Sequence, residues 1–104
     1  MKTVSDVLDA LLALYTAPGT WTRQGVLRDD AGREVAWDLE AALYRVAGDP
    51  EEDGISDDEA ARRQALVSGT FEACGVELMA LNDAARRQGA VVAVLQAGRA
   101  HVAA

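Results

Sequence analysis

The sequence predicts a mainly α single domain of four to five helices, with a small two-stranded β-hairpin inserted after the first. Three observations carry this. Apolar residues recur at three- and four-residue steps along most of the chain. A β-permissive stretch interrupts them around Asp29-Asp30-Ala31-Gly32. The length of 104 residues suits one shared core over residues 1–104 and is short for two ordinary domains.

The first helix is expected from about Thr3 to Thr16, where Val4, Val7, Leu8, Leu11, Leu12 and Tyr15 share one face. Thr3 or Ser5 can cap its start, Asp6 suits the positive end of its dipole, and Pro18-Gly19 marks its end. Trp21, Val26 and Leu27 then form one arm of the hairpin and Arg33 to Val35 the other, joined by a turn with Asp at its start and Gly at its end. A lone hairpin is marginal in water, so it must lie on the helices. Trp21 and Trp37 are the large apolar bodies able to fasten it there. The alternative is that GTWTRQG, residues 19–25, is a ligand loop with Trp21 as a stacking platform and Thr20, Thr22 and Gln24 as polar contacts.

A second helix fits Trp37 to Ala47, with Leu39, Ala42, Leu43 and Val46 inward and Asp38 near its start. An acidic loop expected to be flexible, residues 48–57, follows. Asp49, Glu51, Asp53 and Gly54 match the opening of an EF-hand calcium loop, but position twelve, which needs a bidentate glutamate, is Ala60. Asp49, Glu51 and Asp53 are therefore weak calcium candidates. The plainer expectation is a solvated loop whose Ser56 caps the next helix, with Glu59 completing a capping box.

A third helix is expected from about Asp57 past Phe71, burying Leu66, Val67, Phe71 and Cys74 and then Leu78 and Leu81. Gly69 and Gly75 weaken it, and a break near Gly75 would give the fifth helix; a close helix contact would account for both glycines. Asn82-Asp83 is expected to turn the chain into a last helix from about Arg87 to Val102, with the first and last helices packing on the third.

Composition narrows the function classes. The net charge of −7 disfavours nonspecific binding to nucleic acid or an anionic membrane and favours a basic protein partner. No membrane segment or secretory leader is evident, so a cytoplasmic location is expected. Cys74 is the single cysteine and His101 the single histidine. A nucleophilic pair would need the two in contact, yet Cys74 sits among apolar residues and His101 in a terminal helical turn. Phosphate-loop, dinucleotide and nucleophile-elbow patterns do not occur. No cofactor is expected.

The order of Pro18-Gly19, Trp21-Thr22 and Gly25, then Asp30-Ala31-Gly32-Arg33, Ala41-Ala42-Leu43 and Leu81-Asn82-Asp83 before a valine-rich last helix resembles a known pattern. It is that of an uncharacterised domain-of-unknown-function family of small actinobacterial and phage proteins. Where this chain has Asp38 and Ala85-Arg86-Arg87-Gln88, family members often carry a cysteine and a Pro-Gly-Arg-Thr-like segment. The resemblance implies no activity. It does imply that GTWTRQG and the Leu-Asn-Asp run meet as one structural seam.

The leading functional expectation is a small acidic intracellular interaction or accessory protein, with a phage derivation as an option, lacking catalytic activity and leaving room for a homodimer. A rival is a small-ligand-binding protein or enzyme with a pocket near Trp21, Thr22, Gln24, Trp37, Asn82 and Asp83. A third is an acidic nucleic-acid mimic, suggested by the seven acids from Asp49 to Glu59.

Overall fold

The computed structural model describes residues 2–102, which form five helices and a two-stranded antiparallel hairpin. Helix α1 (Val4–Leu14) starts at Thr3, whose hydroxyl accepts from the Asp6 amide while the Asp6 carboxylate accepts from the Thr3 amide, a complete capping box. It ends at Leu14, before Pro18 has any influence. Val7, Leu8 and Leu11 on one face are wholly buried, and Tyr15 just beyond is nearly so.

Strands β1 (Val26–Arg28) and β2 (Glu34–Trp37) pair Val26 with Trp37, Leu27 with Ala36 and Arg28 with Glu34, with a bulge between the last two pairs. The Asp29 carboxylate nucleates the turn by accepting from the amides of Ala31 and Arg33, and the Gly32 amide donates to the Asp29 carbonyl. Two expectations are corrected here. Trp21 is not part of β1; it forms a lone parallel bridge with Trp37 on the opposite side of β2. Trp37 does not open a helix, because its N–H donates to the Thr20 carbonyl and its carbonyl accepts from the Thr22 N–H, which holds it extended.

Helix α2 (Leu39–Ala47) therefore begins after Asp38, whose carboxylate caps it through the Ala41 amide. Helix α3 (Asp57–Cys74) is capped by Ser56, whose hydroxyl accepts from the Glu59 amide. The expected box is only half present, since the Glu59 carboxylate is occupied by the guanidinium groups of Arg62 and Arg63.

Gly75 stops α3 in the left-handed region at φ 70°, where a side chain is strained. A β-carbon there would have open space, so helix contact is not its reason. Close approach does apply at Gly69, which meets Val4 of α1. Helix α4 (Leu78–Ala84) restarts the chain with the Glu77 carboxylate accepting from the Met79 and Ala80 amides. Asn82 and Asp83 thus lie inside a helix and not in a turn. Their placement depends on the restart at Glu77, which hydrophobic spacing does not reveal. Helix α5 (Gln88–His101) closes the fold.

Helices α1, α3 and α5 pack on one another and α2 covers α1, with Val7, Leu8, Leu11, Leu39, Leu43, Leu78, Val91 and Leu95 at the centre. Where α3 meets α5, a β-carbon on Gly98 would stand 2.6 Å from the Cys74 Sγ. Cys74 is half-buried at this contact and packs against the core. Burial raises its thiol pKa, favouring the protonated form.

Candidate functional site

The segment from Thr20 to Gly25 crosses the molecule where α1, β2, α4 and α5 converge, and side-chain amides hold it at two points. Asn82 on α4 is 4% exposed. Its Oδ1 accepts from the Trp21 indole N–H at 2.8 Å and from the Leu39 amide at 3.0 Å, while its Nδ2 donates to the Arg23 carbonyl at 2.8 Å. One residue thereby ties the incoming segment to the first turn of α2.

Gln88, the first residue of α5, makes the second clasp. Its Oε1 accepts from the amides of Thr20 and Trp21 at 3.1 and 3.0 Å, and its Nε2 donates to the carbonyls of Tyr15 and Ala17 at 3.0 and 2.8 Å. Both lone pairs and both protons of the amide are engaged. The Tyr15 hydroxyl donates to the Trp37 carbonyl at 2.9 Å, with the Asp38 carbonyl also in reach at 3.1 Å. Burial, reinforced by the Asp38 charge, raises the Tyr15 phenol well above its ordinary pKa, so it remains a neutral donor. Asp38 adds a fourth tie: besides capping α2, its carboxylate accepts from the Gly25 amide at 2.7 Å.

Of the sequence candidates, Trp21, Thr22, Trp37 and Asn82 come together, and each is engaged within the fold. Trp21 is half-buried against the core. Thr22 is half-buried and gives its N–H to Trp37. Trp37 is buried, its indole N–H donating to Glu34 at 2.9 Å and its ring lying under the Arg45 guanidinium, 5.3 Å from the centroid. Gln24 and Asp83 are exposed and do not join the cluster. Sequence reasoning missed Gln88, the ties made by Tyr15 and Asp38, and Arg23, which donates to the Ala85 carbonyl. A glutamine at a helix start carries no periodic signal that would have revealed it.

A hollow opens beside the Gln88 clasp. About 350 Å³ in volume and open to solvent, it is lined by Tyr15, Thr16, Pro18, Gly19, Gln88, Gly89 and Val92. Trp21, Trp37, Asn82 and Asp83 do not line it.

The family model described as DUF6197, a family of unknown function, matches residues 1–101. The chain belongs to DUF6197. No curated protein and no solved structure matches it. In this DUF6197 chain the matched region contains every residue of the seam.

Of the calcium candidates, Glu51 and Asp53 are exposed, and Asp49 has a partner within the segment. The Asp49 carboxylate accepts from the Glu51 amide at 2.8 Å, and among the described residues no group of three His, Cys, Asp or Glu is arranged to hold a metal ion. Arg63 instead organises the acidic segment, donating to the Asp49 carbonyl and the Glu52 carboxylate at 3.0 Å each and to Glu59 at 2.7 Å. Its side chain lies against Gly48, where a β-carbon would come within 2.5 Å of Nε. Hydrogen bonds from Arg62 and Arg63 lower the Glu59 pKa to about 2. Among the described residues no helix is long and apolar enough to cross a membrane.

Proposed function

We infer that this DUF6197 protein is an acidic, non-catalytic interaction module acting in the cytoplasm, with a basic surface of another protein as its partner. The observation that carries the reading is the acidic segment that leads into α3, together with the first turn of that helix. Arg63 fixes its base, while Glu51, Asp53, Asp57 and Asp58 face solvent and form no ion pairs among the described residues. Charge held in place attracts a complementary surface without first being ordered, which favours fast and specific encounter. The polar groups of the seam support the same reading from the other side, because their bonding capacity is largely spent on the fold. An accessory role in a phage or its actinobacterial host fits the resemblance in the sequence.

The test is affinity capture from a host lysate with the parent protein and an Asp53→Lys/Asp57→Lys variant of unchanged melting temperature. A partner retained by the parent, released by moderate salt and lost by the variant is the expected result. Equal capture by both would refute the acidic segment as the binding surface.

A second reading rests on the hollow beside Tyr15 and Gln88, whose volume admits a small ligand. A thermal-shift screen of metabolites against the parent and Val92→Trp, which would fill the hollow, separates the two. A stabilising compound that the variant no longer answers would favour the ligand.

A further inference from the structure

Three features meet at the hairpin, and the first is particular to the outer edge of β1. The first is its open backbone. Trp37 directs its own N–H and carbonyl to Thr20 and Thr22, away from β1, so the Val26–Trp37 pair is not hydrogen-bonded and the Leu27–Ala36 pair is. The alternation turns the main-chain groups of Val26 and Arg28 outward, away from β2. Among the described residues none of the side-chain or loop hydrogen bonds takes them up.

The second is apolar exposure beside those groups: Leu27 is 52% exposed and Val35 42%, and both belong to the hairpin. The third is charge. Residues 20–37 carry Arg23, Arg28 and Arg33 against Asp29, Asp30 and Glu34, three of each sign, so the entire net charge of −7 lies elsewhere in the chain.

We propose that the β1 edge is a self-association site at which two copies of this chain pair antiparallel about Leu27, extending the two hairpins into one four-stranded sheet. The charge distribution selects a second copy as the occupant. Two molecules of like net charge repel through most of their surfaces, whereas the hairpins meet without net repulsion. A basic peptide would gain no such advantage at a neutral edge.

The backbone then selects the register. Pairing Val26 of each copy with Arg28 of the other uses all the outward N–H and carbonyl groups in four hydrogen bonds. A register shifted to place Arg28 on its own copy would oppose like charges. In the selected register Leu27 meets Leu27 across the two-fold axis as a non-hydrogen-bonded pair, with Cα atoms about 4.5 Å apart. Strands this short cover well under the roughly 1,000 Å² of a lasting interface, so the dimer is weak and exchanges rapidly.

Sedimentation velocity over a wide concentration range tests the association. The parent should rise from the monomer mass towards twice that value at the highest concentrations. Leu27→Lys, which places two ammonium groups at the axis, should stay monomeric with an unchanged melting temperature. The geometry is tested by Leu27→Cys in a Cys74→Ala background under mild oxidation. A disulfide-linked dimer should form much faster than from Val35→Cys in the same background, because a non-hydrogen-bonded pair brings the two thiols into bonding range. A parent that stays monomeric throughout overturns the proposal. So does dimerisation that Leu27→Lys leaves intact, or equal cross-linking at the two positions.

Discussion

Replacing Asn82 with Ala should remove three hydrogen bonds at once while leaving the helix-forming tendency of α4 intact or improved. The cost follows from what each partner is left with. The Leu39 amide is bonded in a buried position and has no other acceptor, and an orphaned buried donor costs about 1–3 kcal/mol. The Trp21 indole N–H and the Arg23 carbonyl are only part-buried and can turn towards water, so each costs about 0.5–1 kcal/mol. The expected total is about 2–5 kcal/mol, a large share of the stability of a small domain. The melting temperature should fall by on the order of 10–20 °C. Urea unfolding followed by tryptophan fluorescence and circular dichroism measures the loss. A double-mutant cycle with Trp21→Phe, which deletes the indole N–H and little else, isolates the link to the seam. A loss below about 0.5 kcal/mol, or no coupling to Trp21, would refute the assignment of Asn82 as the clasp.

Trp21→Ala should cost about 2–3 kcal/mol, below the range for a fully buried aromatic because the residue is only partly buried, and urea unfolding checks it. Gly98→Ala should destabilise through its collision with Cys74 Sγ, and adding Cys74→Ala should recover part of the loss, since the sulfur is the nearest obstacle and the backbone behind it, at 3.2 Å, is next. The folded-state pKa of Glu59 lies below its ordinary 4.5, so its stabilisation is complete above that pH and is lost as pH falls towards about 2. Glu59→Gln should therefore lower the urea midpoint at neutral pH, and the gap to the parent should close in acid. Calcium at millimolar concentration should leave the melting temperature unchanged, because Asp49 and Glu52 are already used within the segment; a rise of several degrees would show that the acids rearrange around the ion.

Features governed by neighbours in the chain were legible without the structure. The faces of α1 and α2 follow from apolar spacing, because a helix buries whatever recurs every three or four residues. The caps at Thr3 and Ser56 and the Asp29 turn follow from short polar side chains bonding to amides two to four residues away. The break at Gly75 was legible as an interruption, although its cause is left-handed backbone and not the helix contact expected there.

The tertiary structure alone decided what depends on partners far along the chain. Trp37 has the composition of a helix start, yet Thr20 and Thr22 bond both of its main-chain groups and make it strand. Asn82 reads as a turn residue, but its side chain is worth more as a buried clasp across 61 residues to Trp21 and 43 to Leu39. Gln88 gives no periodic signal because its four partner residues lie 67 to 73 positions away, at places set by the packing of α1 and α5. Local pattern fixes which residues must leave water. Where their polar neighbours find partners is settled only when the helices close on one another, because an amide bonds whatever packing brings within 3 Å.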